Sequence, residues 1–389
     1  MNDVFFLAAR YLRHHWRKSL ILTGSIALIL FLPAGLYVLV QAGATAMTSR
    51  ADATPILVGS RGSGVDLTLS ALYFRTPSVD PLEYRQVTGL QEEGLGTVVP
   101  LHLGFESRGH RIVGTTTDYL LFRGLAIEAG RRFAVLGECV VGSGVARSLG
   151  VAPGGHVIST PAGAFDVAGS FPLKMNVVGV LAPTGTEDDG AIFVDLKSAW
   201  VIAGLAHGHE DVTGEGILED QGDNVVAKPS VLSYTEITDA NRDSFHFHGN
   251  ADGFPVHAAI VAPRDRKSGA MLRGRFEGPD SPVQIVVPSR VVDDLVQTLF
   301  SFRDAVLGLS VGLGIATLAT ASLVFALSIR LRRREIDTMR KIGASSMRIR
   351  SVLVTEIVVV LVASVVIAAV PTVVMGRFGS LALRFLGAG

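Results

Sequence analysis

The sequence predicts an integral membrane protein with three helical spans and a large α+β extracytoplasmic domain inserted between the first two spans. The chain has 389 residues, of which 48% are hydrophobic and 18% charged, so it is more apolar than an ordinary soluble protein of this length. Long apolar runs lie at residues 19–43, 305–329 and 352–375, and each can cross a hydrocarbon core of about 30 Å. Between the first two runs, no uncharged stretch is long enough to span a membrane.

Residues 1–18 are predicted to form an amphipathic basic helix on the cytoplasmic membrane surface. Residues 19–43 are interpreted as an uncleaved span. A cleavable signal peptide is the alternative, but its apolar core is only about 7–15 residues long, which is shorter than this run. Because the basic flank places the N-terminus in the cytoplasm, residues 44–304 are expected outside it.

Residues 44–304 alternate short β-branched runs with Gly, Pro and Asp, a pattern typical of strands and hairpins. Helices are predicted around residues 81–93, 142–150 and 196–206. Gly, Asp and His accumulate in residues 204–255, which are predicted to form a separate lobe. The adjacent acids Asp188 and Asp189 are interpreted as a solvated turn. The lone Cys139 is expected in the core, since it has no partner for an internal disulfide.

Residues 330–351 form an Arg-rich connector between the second and third apolar runs. An excess of Arg and Lys places such a connector in the cytoplasm. Gly343, followed by Ala344 and two serines, is predicted to end one helix and to let a second begin with a Ser cap. Two short helices joined at a Gly make a protruding corner that suits docking to a soluble partner.

This connector closely resembles the cytoplasmic signature of FtsX-like and MacB-like ABC transporter permeases. The residues that match are Arg334, Glu335, Ile336, Met339, Arg340, Ile342, Gly343, Ala344, Ser345 and Glu356. In that family the segment docks onto an ATP-binding subunit, and closure of the ATP-binding pair moves the periplasmic domain. The alternative is that the charges only anchor the chain with its positive side inside. The Gly-Ala-Ser corner and the acidic residues Glu335 and Asp337 favour docking.

A second resemblance lies in residues 44–304, whose segment order is similar to the periplasmic domain of MacB-like permeases. The matching segments are Gly114 to Tyr119, Ala126 to Phe133, Val140 to Ala146 and Val177 to Val180. An amphipathic stretch leads without a break into the run 305–329, as a stalk helix does in that family. FtsX-like permeases usually have four spans, whereas only the short tail 376–389 follows the third run here.

The resemblance implies a non-catalytic, multi-pass subunit of the inner membrane that acts on a periplasmic or membrane substrate. ATP and Mg²⁺ are expected in the partner, because the chain carries no Gly-x-x-x-x-Gly-Lys-Ser/Thr phosphate loop. The expected partners are a dimer of the ATP-binding subunit, a second copy of this chain, a periplasmic substrate-binding or adaptor protein, and membrane lipid, with no nucleic acid. Regulation of a cell-wall hydrolase is an alternative function within the same family.

Two His-x-His pairs, His207/His209 and His246/His248, could each present two imidazoles on one face of a strand. Imidazole suits zinc or copper, and handling of such a metal is a further alternative function. The competing interpretation is a half-buried strand, in which Phe245 and Phe247 face the core and the histidines face water. A membrane-anchored enzyme would need a catalytic constellation, and no Ser-His-Asp or Cys-His pattern is identifiable.

Overall fold

The computed structural model describes residues 2–160, 172–207, 217–220, 225–227, 234–276, 281–331, 333–341 and 343–387. The chain divides into two compact units. The helical unit comprises Met1–Ser49 and Asp293–Gly389, and the sheet unit comprises Arg50–Val292.

The helices described in chain order are α1 (Asn2–His14), α2 (Trp16–Asp52), α3 (Gly64–Tyr73), α4 (Tyr84–Glu92), α5 (Thr117–Phe122), α6 (Ser143–Leu149), α7 (Leu196–Ile202), α8 (Arg266–Phe276), α9 (Pro288–Leu331), α10 (Arg333–Lys341) and α11 (Ser346–Gly387). The three helices predicted in the large domain therefore coincide with α4, α6 and α7.

The strands described in chain order are β1 (Ile56–Ser60), β2 (Leu82–Glu83), β3 (Gly96–Ser107), β4 (His110–Thr115), β5 (Ile127–Gly130), β6 (Glu138–Val141), β7 (His156–Ile158), β8 (Leu173–Leu181), β9 (Ile192–Asp195), β10 (Ala206–His207), β11 (Ile217–Asp220), β12 (Val225–Ala227), β13 (Thr235–Glu236), β14 (His246–Phe247), β15 (Pro255–Val256), β16 (Ala258–Pro263) and β17 (Val283–Val286).

Two of the described helices are long and apolar enough to cross a membrane. They cover Ser19–Asp52, with a mean hydropathy of 2.1, and Ser346–Arg377, with a mean hydropathy of 2.9. A shorter apolar stretch, Leu307–Thr320, lies in α9. Two of the three predicted spans thus coincide with long apolar helices, and the predicted run 305–329 coincides with part of α9, where the described apolar stretch is shorter.

Within the helical unit, α2 packs against α11. Ser364 donates a hydrogen bond from its hydroxyl to the carbonyl oxygen of Thr23, with the two oxygens 3.1 Å apart. A Cβ placed on Gly35 would lie 3.3 Å from the sulfur of Met375, so the glycine permits the close approach. Small residues at the contact are typical of helix pairs in lipid, where van der Waals packing replaces the hydrophobic effect.

The sheet unit is built on a mixed sheet that, among the described residues, runs in the order β13-β8-β6-β9-β4-β3-β16-β1-β17, with β5 and β7 pairing to β8. The pairs β4–β9 and β6–β8 are parallel, whereas β3–β4, β3–β16 and β1–β16 are antiparallel. This mixed sheet with its helices confirms the predicted α+β domain.

The described residues of the sheet unit include two apolar clusters. One surrounds the fully buried Cys139 and Met175, together with residues of α6 and α7. The other surrounds Trp200 and Phe254, together with residues of α4 and α8. Burial raises the pKa of the Cys139 thiol, so the thiol stays protonated and packs as a small core residue, as the sequence predicts.

Candidate functional site

The described signature residues from Arg334 to Ser345 lie in a helix–turn–helix corner, which we call the α10–α11 corner (residues 333–348). Helix α10 ends where Gly343 adopts φ = 94°, in the left-handed region that favours glycine. The Ala344 amide donates to the carbonyl oxygen of Met339 at 2.9 Å. The Arg348 amide donates to the Ser345 hydroxyl at 3.4 Å and caps the start of α11. The two helices therefore meet at Gly343 in the predicted manner.

The α10–α11 corner presents cations and one large apolar side chain to solvent. Arg334, Arg340 and Lys341 are exposed, and Met347 is 75% exposed. Ile336, Met339 and Ala344 are half-buried. The side chain of Glu335 and the whole of Ile342 lie outside the described residues. Glu356 is only 5% exposed within α11, which separates it from the exposed members of the signature.

A buried ionic cluster lies in the sheet unit, where α2 ends; we call Arg50, Tyr119 and Asp188 the Arg50 cluster. Arg50 donates from Nη1 to Asp188 Oδ2 at 2.6 Å and from Nη2 to Asp188 Oδ1 at 3.1 Å. Its Nη2 also lies 3.0 Å from the Tyr119 hydroxyl, which donates to Asp188 Oδ1 at 2.7 Å. Arg50 Nε donates to the carbonyl oxygen of Leu72. Arg50, in the last turn of α2, is thereby hydrogen-bonded to three other segments of the sheet unit.

The surroundings of the Arg50 cluster stabilise the charged forms of Arg50 and Asp188. Asp188 is 1% exposed. Although burial alone would raise its pKa, the hydrogen bonds and charge of Arg50 hold the pKa of the Asp188 carboxyl below its usual range. The guanidinium carbon of Arg50 lies 5.4 Å from the ring centre of Phe74, a cation–π contact. A Cβ on Gly142 would lie 2.3 Å from the Asp188 carbonyl oxygen, so only glycine lets the start of α6 approach this turn.

The Arg50 cluster corrects one prediction from the sequence. The interpretation of Asp188 as part of a solvated turn is wrong, because its side chain is buried against Arg50. Asp189 does shape a turn, since its carboxylate accepts hydrogen bonds from the amides of Thr184 and Gly185 at 2.9 and 2.8 Å. The partners Arg50 and Asp188 are 138 positions apart, and no local pattern links them.

The two His-x-His pairs meet at the β10–β14 ladder, where His207 is directly opposite His246. The ring centres of His246 and His248 are 4.9 Å apart, and both side chains are exposed. The side chain of His207 and the whole of His209 lie outside the described residues. Among the side chains that the structure describes, no group of three or more His, Cys, Asp or Glu residues is arranged to hold a metal ion.

A different histidine pair, His102 and His257, lies inside the sheet unit. Its ring centres are 4.6 Å apart, and His102 is 3% exposed. The Leu103 amide donates to His257 Nδ1 at 3.2 Å. Burial lowers the pKa of His102 to about 3, aided by His257. Burial and the charge of Arg111 lower the pKa of His257 to about 4. Both rings are therefore neutral at ordinary pH.

These buried histidines predict acid sensitivity of the sheet unit. A pKa below the unfolded value of about 6.5 means that the unfolded chain binds the proton, so stability is lost as pH falls below 6.5. For His102 the loss at pH 5 is about 2 kcal/mol. In a Trp16→Phe background, which leaves Trp200 as the fluorescent probe, we expect His102→Leu to flatten the pH dependence of urea unfolding of the full chain between pH 7 and 5. Replacing the exposed His156 by leucine should leave the dependence intact; equal slopes for wild type and His102→Leu would contradict the assignment.

Ser148 and His110 are placed as a nucleophile and a general base would be, but the structure describes no catalytic site around them. The Ser148 hydroxyl lies 2.8 Å from His110 Nε2, and His110 Nδ1 lies 3.2 Å from the carbonyl oxygen of Gly190. The hydroxyl also lies 3.2 Å from the Val145 carbonyl oxygen, and these bonds are exposed to solvent or partly so. The contact joins the start of β4 to α6, and a structural role accounts for it.

Solved structures of two transporter domains are similar to this chain at 13% sequence identity. No family model matches the sequence, and no curated protein matches it. The chain is similar to the crystal structure of the periplasmic region of MacB from Actinobacillus actinomycetemcomitans, with 13% identity over 63% of this chain and 92% of that chain and a TM-score of 0.35. It is also similar to the extracellular domain of the noncanonic ABC-type transporter YknZ from Gram-positive bacteria, with 13% identity over 59% of this chain and 98% of that chain and a TM-score of 0.33. At these TM-scores no residue role is transferred from either structure to this chain.

Proposed function

We propose that this chain is the non-catalytic membrane subunit of an ABC transporter, and that its α10–α11 corner docks onto a separate ATP-binding subunit. The observation that carries the proposal is the corner itself. The signature residues that the structure describes lie in two helices and the turn at Gly343 between them, with Arg334 and Arg340 exposed. Exposed arginines are suited to charge-assisted hydrogen bonds with carboxylates of a partner.

The connections between the two units support a mechanical role. Helix α2 runs unbroken from Trp16 to Asp52, and α9 runs unbroken from Pro288 to Leu331. Each of these helices has residues in both units. The Arg50 cluster holds the last turn of α2 in the sheet unit. In the proposed mechanism, closure of the ATP-binding pair moves the corner, and α2 and α9 pass that displacement to the sheet unit.

The proposed assembly contains two copies of this chain and two ATP-binding subunits, which hold the ATP and Mg²⁺. It lies in the inner membrane with three spans per chain and the sheet unit outside the cytoplasm. The proposed activity is export or extraction of a periplasmic or membrane substrate, with a periplasmic substrate-binding or adaptor protein as a further partner. The size of the sheet unit, Arg50–Val292, favours this activity over regulation of a cell-wall hydrolase.

The test separates docking from simple anchoring of the chain by positive charge. We expect Arg334→Ala combined with Arg340→Ala to reduce co-purification of the ATP-binding subunit tenfold or more, because one lost charge-assisted hydrogen bond weakens binding by about 1.5–3 kcal/mol. The matched control, Arg10→Ala with Arg17→Ala, removes two exposed cations of the N-terminal segment. It should leave co-purification unchanged. An equal loss in both double variants, or no loss in either, would overturn the docking assignment.

A further inference from the structure

Helix α8 of the sheet unit presents cations and an apolar side chain to solvent. Its sequence, RKSGAMLRGRF, contains no acidic residue. On its inner side Leu272 is 1% exposed and belongs to the apolar cluster around Trp200. On its outer side Lys267 is exposed and Met271, one turn later on the same side, is 53% exposed. We define the α8 face as the exposed residues Arg264, Arg266, Lys267 and Met271.

Ion pairs within the chain account for little of this positive charge. Arg275, near the end of α8, forms an ion pair with Glu93. Within the part of the chain that the structure describes, neither Arg266 nor Lys267 forms an ion pair. Residues 277–280, which include two acids, lie outside the described residues. The described cations of the α8 face are therefore available to carboxylates of another molecule.

The stability of α8 does not explain these cations either. The Ser268 amide donates to Asp265 Oδ1 at 2.7 Å, which caps the start of the helix. Arg266 and Lys267 follow in the first turn, where the helix dipole favours anions and disfavours cations. Their position costs the helix some stability, so a role outside the helix is the better explanation for them.

Contacts near both ends hold α8 against one segment of the sheet unit. The Arg264 amide donates to the Leu95 carbonyl oxygen at 3.0 Å, just before α8 begins. Arg275 pairs with Glu93 near the other end. The segment that contains Glu93 and Leu95 leads directly into β3. Because α8 is held in this way and packed through Leu272, a partner would meet its outer face already ordered, which lowers the entropic cost of binding.

The composition and location of the α8 face favour a protein partner over membrane lipid. Arginine and methionine are both enriched at protein–protein interfaces. Helix α9 begins at Pro288, just after β17, and its apolar stretch begins at Leu307. A helix of that length, 19 residues, extends about 28 Å. This is more than three times the Debye length of about 8 Å, so attraction to lipid headgroups is strongly screened over it.

We propose that the α8 face binds a carboxylate-rich segment of a soluble protein outside the cytoplasm. Arginine side chains suit carboxylates because the guanidinium donates two parallel hydrogen bonds. Met271 would contact an apolar side chain between the acids, since its flexible thioether adapts to different surfaces. This inference rests on the proposed function, which places the sheet unit outside the cytoplasm, and gives its soluble partner a docking surface and a chemistry.

The test uses the full chain in nanodiscs of zwitterionic lipid. The probe is a short fluorescent peptide of glutamate and leucine, titrated by anisotropy, beside a second peptide in which serine replaces leucine. Arg266→Gln with Lys267→Gln should weaken binding of both peptides about tenfold. Met271→Ser should weaken only the binding of the leucine peptide. The control, Arg132→Gln with Arg147→Gln, removes two other exposed cations and should bind as wild type does.

Three outcomes would overturn the proposal. They are no saturable binding by wild type, equal losses in the two double variants, and contact of the α8 face with lipid. Lipid contact is measured with a dye on Ala270→Cys, since Cys139 is buried; quenching of this dye by a headgroup spin-labelled anionic lipid would assign the face to the membrane.

Two further readouts show which claim has failed. In a Trp16→Phe background, unchanged Trp200 fluorescence shows that the cluster beneath α8 is intact in every variant. Co-purification of the ATP-binding subunit should be the same for wild type and the α8 variants. Absence of peptide binding with co-purification intact would overturn this inference alone, whereas absence of both would overturn the proposed function as well.

Discussion

Replacing Asp188 by alanine is expected to lower the free energy of unfolding of the sheet unit by about 3–5 kcal/mol. The variant leaves the Arg50 guanidinium buried without its carboxylate partner, and Arg50 is 6% exposed. It also removes the acceptor of the Tyr119 hydroxyl, which is fully buried. Removing one member of a buried ion pair is more damaging than removing both, because the remaining charge stays in a low-dielectric interior.

The measurement is urea unfolding of the full chain in nanodiscs, followed by Trp200 fluorescence. The chain has two tryptophans, so Trp16→Phe isolates the signal of the sheet unit. Glu187→Ala is the matched control: its side chain is 40% exposed and lies 3.7 Å from Arg50 Nε, and we expect a change within about 1 kcal/mol. Arg50→Met with Asp188→Leu should recover part of the loss. Equal effects of Asp188→Ala and Glu187→Ala would show that the ion pair contributes little.

Several features could be predicted from the sequence because their causes are local. Apolar runs are properties of contiguous residues, so the two long apolar helices follow from hydropathy. The turn at Gly343 follows from the left-handed conformation that glycine adopts at helix ends, together with the Ser cap after it. The alternation of Phe and His around Phe247 likewise predicted that the histidine side chains of this segment would be exposed.

The Arg50 cluster could not be predicted, because its members come from three distant segments. Adjacent acids beside Gly and Thr usually lie in solvated turns, and only the contact with Arg50 reverses this for Asp188. The same limit applies to His257, which lies near His246 and His248 in sequence. Pairing of β16 with β3 instead places it against His102, 155 positions away. Burial of a polar side chain depends on tertiary contacts that a single sequence does not display.

Gly343 offers a direct test of docking through the α10–α11 corner. Its φ of 94° is unfavourable for residues with a Cβ, and a β-branched side chain fits it worst. A Cβ at this position would meet no described atom within 4 Å, so a substitution acts through the backbone conformation alone. We expect Gly343→Val to disfavour the docking conformation by about 1–2 kcal/mol, which weakens binding of the ATP-binding subunit about 5–30-fold. Gly343→Asn should weaken it less, because asparagine tolerates the left-handed region.

The decisive measurement titrates the ATP-binding subunit onto the full chain in nanodiscs and reads the half-saturating concentration from the stimulated rate of ATP hydrolysis. Docking through the corner predicts the order wild type, Gly343→Asn, Gly343→Val, with the valine variant shifted about 5–30-fold to higher concentration. All three chains should enter the membrane in equal amounts. Identical half-saturating concentrations for the three chains would contradict the proposal that ATP-driven motion enters this protein through the α10–α11 corner.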